Sequence, residues 1–143
     1  MARVICIMGE SGSGKTTSMR NLNPDTTLYI DCDKKGLSWK GWKSVFNAEN
    51  KNYLRTDFPQ VVLSALKKVE EQENYKHIEA IVVDTLNGLM VADEMRRTKE
   101  KGYDKWQDLA QSIYDLVDYS LTMREGAKAE ELFRRIFEKS DKW

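Results

Sequence analysis

The sequence predicts an α/β fold: a three-layer α/β/α arrangement around a small parallel sheet of about three strands, with helices toward the C-terminus. Two observations carry that expectation. Three short runs, "RVICIM" (3–8), "TLYID" (27–31) and "IEAIVVD" (78–84), are apolar without alternation, as strands covered on both faces must be. Segments of helical spacing lie between and after them, and strands that alternate with helices pair in parallel through right-handed crossovers.

The first run enters a glycine-rich stretch, "GESGSGKTT" (9–17), and "KTTSMRNL" then reads as a helix stopped at Asn23-Pro24. The 27–31 run leads into "CDKKGLSWKGWKSVFNAENKNYLRTD" (32–57), the least regular piece, expected as a long functional connection. "FPQVVLSALKKVEEQE" (58–73) has Pro59 in its first turn, where a missing N–H costs nothing, and repeats Val62, Leu66 and Val69 at helical spacing. "DTLNGLMVADEMRRTKEK" (84–101) reads as helical in part. In "DKWQDLAQSIYDLVDYSLTMRE" (104–125), Asp104 and Gln107 stand as a capping box, with Trp106, Leu109, Ile113 and Leu116 on one face. After Gly126, "AKAEELFRRIFEK" sets Leu132, Phe133, Ile136 and Phe137 on a single stripe, so 126–143 is expected as a helical tail of one domain spanning 1–143.

Composition bounds the function. The 143 residues carry 23 basic and 23 acidic side chains, so net charge draws the chain neither to nucleic acid nor to an anionic membrane. No apolar run approaches the roughly 18–20 residues that cross a bilayer, and the N-terminus lacks the pattern of a signal peptide. A cytoplasmic protein without a membrane partner is expected. Cys6 and Cys32 fall in apolar runs with no CxxC, and read as small buried hydrophobes in a reducing compartment. His77 is the single histidine, which excludes histidine-rich metal sites and places it on the surface or at a strand edge.

Residues 9–16 satisfy GxxxxGK[ST], with a strand before and a helix-forming stretch after. The spacing has a mechanical reason. Gly9, Gly12 and Gly14 let the backbone curl and approach an anion, with Ser11 and Ser13 completing the loop. The amides of 12–16 then point inward, and the dipole of the following helix adds positive potential. Lys15 would reach the β- and γ-phosphates, Thr16 would place its hydroxyl on Mg²⁺, and Thr17 would meet the α-phosphate. The ligand is a nucleoside triphosphate, read as ATP, with Mg²⁺. An acidic partner for the metal is offered by "AIVVDT", where Asp84 ends a buried strand at its carboxyl end, the place where open α/β sheets hold ligands. Its bland role is to cap the next helix.

"LYIDCDKKGLS" and "IVVDTLNGL" resemble the corresponding segments of RecA-type recombinase ATPases, and the chain is most similar to the small RecA-like ATP-binding proteins encoded by phages. The resemblance covers roughly residues 3–124. It implies a P-loop nucleoside triphosphate hydrolase in which Lys15, Asp33 and Asp84 carry catalysis and Thr16 and Asp84 hold the metal. Asp33 matches the family's water-polarising carboxylate, where glutamate is usual. Aspartate is one methylene shorter, and a displacement of about 1 Å can cost on the order of 100-fold in rate. A weak ATPase is therefore implied, linked to phage DNA recombination or replication and resident in the host cytoplasm. The bland reading leaves Asp31 and Asp33 merely ending a strand above a solvated "KK" turn.

The segment after Asp84 contributes a DNA-contacting loop in the resembled family. Here Arg96, Arg97, Lys99, Lys101 and Lys105 stand with Tyr103 beside Trp106, a composition that suits backbone charge plus base stacking on single-stranded DNA. A solvated helix end explains the same residues. Trp39 and Trp42 read as packing over the sheet, with adenine stacking or a subunit contact as the alternatives.

The resembled fold also has a fourth strand, which lies between the strands of 3–8 and 78–84 and which this chain, shortened by comparison, does not offer. Unpaired buried amides cost about 1–3 kcal/mol each. Direct pairing of those two strands, or a homo-oligomer or protein partner, is expected to close the gap. Two further functions stay open: a nucleotide-binding interaction or regulatory protein without turnover, and a small nucleotide kinase.

Overall fold

The computed structural model describes residues 4–10, 12–99 and 102–123. Its centre is β1, Thr27–Asp31, which lies between β2, Tyr53–Arg55, and β3, Ala80–Asp84, in one parallel sheet of order β2-β1-β3. Along β1 and β3, Thr27 pairs with Ala80 and Asp31 with Asp84, so two carboxylates end the sheet side by side. Asp31 also pairs with Arg55 on the other flank.

All of β1 is buried, which is why its sequence does not alternate. Leu28 and Ile30, with Cys32 beyond the strand, face one core. It is completed by Val62, Leu66 and Val69 of α2 (Pro59–Glu71), Leu89 of α3 (Leu86–Arg96), and Leu116 of α4 (Tyr103–Thr122). Tyr29 faces the other core with Met19, Leu22, Leu37 and Phe46. That second layer comes from a 3-10 helix, Thr17–Asn21, and from the segment around the short α1, Trp42–Val45. The three-layer α/β arrangement around a three-stranded parallel sheet is thus the one the sequence predicts, although its strands are not all the expected ones.

β2 comes out of the stretch expected to be loop. The 3–8 run, by contrast, is not a strand over its described part: residues 4–8 have no regular structure, and Val4, Ile5, Cys6 and Met8 are exposed, Met8 at 87%. Ile7 is tucked against the Tyr29 core. The direct pairing expected between 3–8 and 78–84 does not form. Among the described residues β3 has β1 as its ladder partner and nothing on its outer edge. β-branched, apolar composition alone therefore does not make a strand; pairing with a neighbour does.

Three smaller expectations also change. The segment after the glycine-rich stretch is a five-residue 3-10 helix rather than an α-helix, so little macrodipole is available there. No capping box opens α4: Gly102 precedes it with positive φ, and Asp104 sits inside the first turn. Trp106, expected on the buried face with Leu109, is 51% exposed. The expected tail, 126–143, lies outside the described residues, as do Ser11 and Lys101. No helix among the described residues is long and apolar enough to cross a membrane.

Candidate nucleotide site

The glycine-rich loop curls because its glycines permit it. Gly12 and Gly14 have φ of 80° and 93°, and a Cβ on Gly9 would lie 2.5 Å from Ser13 Oγ. Lys15 Nζ donates to the carbonyls of Gly9 and, at 3.0 Å, of Glu10, so the ammonium crowns its own loop. An ammonium has three donors, and two are used here, which leaves one for a phosphate oxygen. At the loop's end, Thr17 Oγ1 lies 2.6 Å from Ser38 Oγ, tying it to the segment after β1.

Thr16 joins the loop to the sheet. Its Oγ1 donates to Asp84 Oδ2 at 2.8 Å, across 68 positions of sequence. Tyr29 Oη donates to the same oxygen at 2.5 Å. Burial first, then the bond to Asp84, push the Tyr29 hydroxyl well above the usual phenol range, so it stays a proton donor. Asp84 is not the helix cap: Thr85 has that role, its Oγ1 accepting from Gly88 N at 3.0 Å.

Asp31 and Asp33 have separate tasks. Asp31 is buried and accepts from Lys34 N at 2.9 Å, Gly36 N at 2.8 Å and Tyr53 Oη at 2.6 Å. Its carboxylate shapes the turn after β1, where Lys34 and Gly36 take positive φ. Asp33 is held instead at the start of α3, with Thr85 Oγ1 at 3.3 Å from each carboxylate oxygen. A Cβ on Gly88 would fall 2.2 Å from Asp33 Oδ1, so Asp33 sits where it does because residue 88 has no side chain. Cys32, between the two aspartates, has its thiol pushed up to about 12 by burial first and then by Asp31, Asp33, Asp84 and Asp57. Several carboxylates thus gather at the sheet's carboxyl end, with Asp57 among them paired to Lys34 and Arg96.

Magnesium and a triphosphate fit these residues: a spare ammonium donor, a hydroxyl with a free lone pair, and a fixed carboxylate converge on one loop. No group of three His, Cys, Asp or Glu among the described residues could hold a metal unaided. A magnesium ion here would have Thr16 and Asp84 as its protein partners and would need phosphate and water to complete its shell.

A family model described as AAA domain matches residues 1–125. The chain belongs to the AAA domain family. No curated protein and no solved structure offered a match. Membership agrees with the loop and the Thr16–Asp84 contact, and makes the chain an AAA domain of P-loop, nucleotide-binding ATPase type.

The basic segment of this AAA domain is largely committed elsewhere. Arg96 pairs with Asp57 at 3.1 Å and stacks on Phe58 at 3.9 Å. Arg97 pairs with Asp93 at 3.3 Å and with Asp108 at 3.6 Å, tying α3 to α4. Lys34 joins the cluster through Asp57 at 2.9 Å, and Lys34 first, then Arg96, hold the Asp57 carboxyl below its ordinary value. Lys99 and Tyr103 are exposed, and Lys105 lies over the Trp106 ring at 5.2 Å. The tryptophans of the long connection pack. Trp39 meets Tyr29 and Phe46 edge-on, and Trp42 lies against Tyr53 at 5.3 Å and beside Gly36.

Tyr29, Thr85 and Gly88 are the site residues that sequence reasoning missed. A signal existed for two of them. A tyrosine in a strand covered on both faces needs an acceptor for its hydroxyl, and a glycine in the first turn of a helix gives up about 1 kcal/mol relative to alanine unless something needs the space.

Proposed function

We propose that this AAA domain binds ATP with magnesium and hydrolyses it slowly, as a RecA-like protein of phage type serving DNA recombination or replication. The observation that carries the reading is the 2.8 Å bond from Thr16 to Asp84, which joins the phosphate loop to the carboxyl end of the sheet. In this reading Gly9, Ser11, Gly12, Ser13, Gly14, Lys15, Thr16 and Thr17 cradle the phosphates. Magnesium, when bound, neutralises developing charge on the terminal phosphate. Lys15 orients that phosphate, Thr16 and Asp84 hold the ion's shell, and Asp33 accepts a proton from the attacking water. Turnover is weak because Asp33 is short and is held back against Thr85.

A second reading, a nucleotide-binding protein that acts through its surface and not through turnover, is favoured by a specific observation. Trp106, Tyr114, Val117 and Leu121 are all exposed along one side of α4. The commitment of Arg96 and Arg97 to Asp57, Asp93 and Asp108 counts against a kinase lid, and leaves Lys99, Lys101, Tyr103 and Lys105 as the residues for single-stranded DNA.

Calorimetry with MgATP, followed by phosphate release with and without single-stranded DNA, tests the reading. Heat of binding with slow release is the expected result, the release disappearing in both Lys15→Ala and Asp33→Asn. Binding with no release under any condition supports the surface reading, and absence of binding overturns both. Phosphate transferred to an added nucleoside monophosphate would make it a kinase.

A further inference from the structure

We propose that Tyr29 is a positioning residue for Asp84: its hydroxyl and that of Thr16 together pin one carboxylate oxygen, so that the other faces the magnesium shell in a single orientation. This rests on the magnesium-nucleotide reading given above.

Tyr29 is fully buried in the central strand. Its ring is held edge-on by Trp39 at 6.4 Å and by Phe46 at 5.7 Å, which removes the freedom a tyrosine would otherwise have. Register does the rest. Tyr29 pairs with Val82, and Asp84 lies two positions further along the neighbouring strand, on the same face of the sheet. The phenol therefore reaches diagonally to Asp84 Oδ2 at 2.5 Å. Thr16 reaches the same oxygen at 2.8 Å from the opposite side of the site's sequence, and no hydrogen bond among the described residues engages Oδ1. A hydroxyl has one proton and two lone pairs, so Thr16 can keep its bond to Asp84 while offering oxygen to a metal. Thr16 belongs to the glycine-rich loop, whereas Tyr29 belongs to the central strand of the sheet. Groups that hold a metal's ligand by its far atom govern affinity although they never touch the ion.

The test is Tyr29→Phe, which keeps the ring and its packing and removes the hydroxyl. ATP binding by calorimetry is measured across a magnesium titration, with melting temperature recorded alongside. The expected result is a half-saturating magnesium concentration raised about 10-fold, within the range for loss of such a support, with metal-free ATP binding unchanged. Trp39→Phe, which loosens the same aromatic packing but keeps the hydroxyl, should retain the wild-type magnesium dependence. An unchanged titration in Tyr29→Phe overturns the proposal. So does an equal shift in Trp39→Phe, or an equal loss of ATP affinity with and without metal, since packing would then be responsible. Failure of the wild-type protein to bind MgATP sinks the magnesium-nucleotide reading and this inference with it, whereas normal wild-type binding beside an unaltered Tyr29→Phe sinks this inference alone.

Discussion

The segment 4–8 and β3 are built from the same kinds of residue, yet one is a strand and the other is not. "VICIM" has no ladder and is largely exposed, whereas "AIVVD" pairs residue for residue with β1. Both are β-branched and apolar, so propensity does not separate them. The difference is a neighbour. β3 has the edge of β1 beside it and two cores above and below, with Ile81 and Val83 packing on one and Val82 on the other. Segment 4–8 has the Tyr29 core under Ile7 and pairs with no strand, although the outer edge of β3 is open among the described residues. A strand is a relation between two chains of peptide groups, and one side of it cannot form alone.

Thiol labelling breaks or upholds that contrast most sharply. Cys6 belongs to the exposed segment, and Cys32 follows β1, buried, with its amide bonded to Asp84 O at 2.7 Å. The thiolate is the reactive form, and a thiol pushed up to about 12 is almost wholly protonated at pH 8. At pH 8 a soluble disulfide reagent should modify Cys6 at least about 1,000-fold faster than Cys32, which must wait for the core to open. Comparable rates would mean that the sheet is as loose as the segment before the loop.

Truncation is the next largest effect. Ile30→Ala removes a fully buried side chain from β1 and should lower stability by about 2–5 kcal/mol in a urea titration. Ile5→Ala, in the exposed segment, should stay within about 0.5 kcal/mol. Equal costs would show that segment 4–8 is packed in solution after all.

A third substitution sharpens the comparison within the sheet region, where close packing holds the proposed catalytic carboxylate. Gly88→Ala improves helix propensity by about 1 kcal/mol, yet its methyl would meet the Asp33 carboxylate. Asp33 must move, and phosphate release should fall by about 100-fold while MgATP binding is retained. Unchanged release would remove Asp33 from the chemistry.

Much of this was legible in the residues themselves. The buried run at 27–31 became β1 unchanged, and 58–73 became α2 starting at Pro59, because burial pattern and the proline each act locally. The glycine-rich loop declared itself through spacing, and Asp84 through its place at the end of a strand. β2 was not legible. Its three residues, Tyr53, Leu54 and Arg55, are too few to show a period, and they form a strand only because β1 lies beside them. Residues 3–8 misled for the converse reason. Asp31 and Asp33 looked alike in "IDCD", and only three-dimensional donors divide them: the backbone of Lys34 and Gly36 claims one, and the gap over Gly88 receives the other.

The bond between Thr16 and Asp84 spans 68 positions, and its span has a temporal meaning. A growing chain leaving the ribosome displays its glycine-rich loop early but lacks the carboxylate that completes it until much of the domain has been made. Contacts between positions so far apart in sequence form more slowly than local ones. The loop and its carboxylate partner therefore meet only once β3 has been made and has paired with β1.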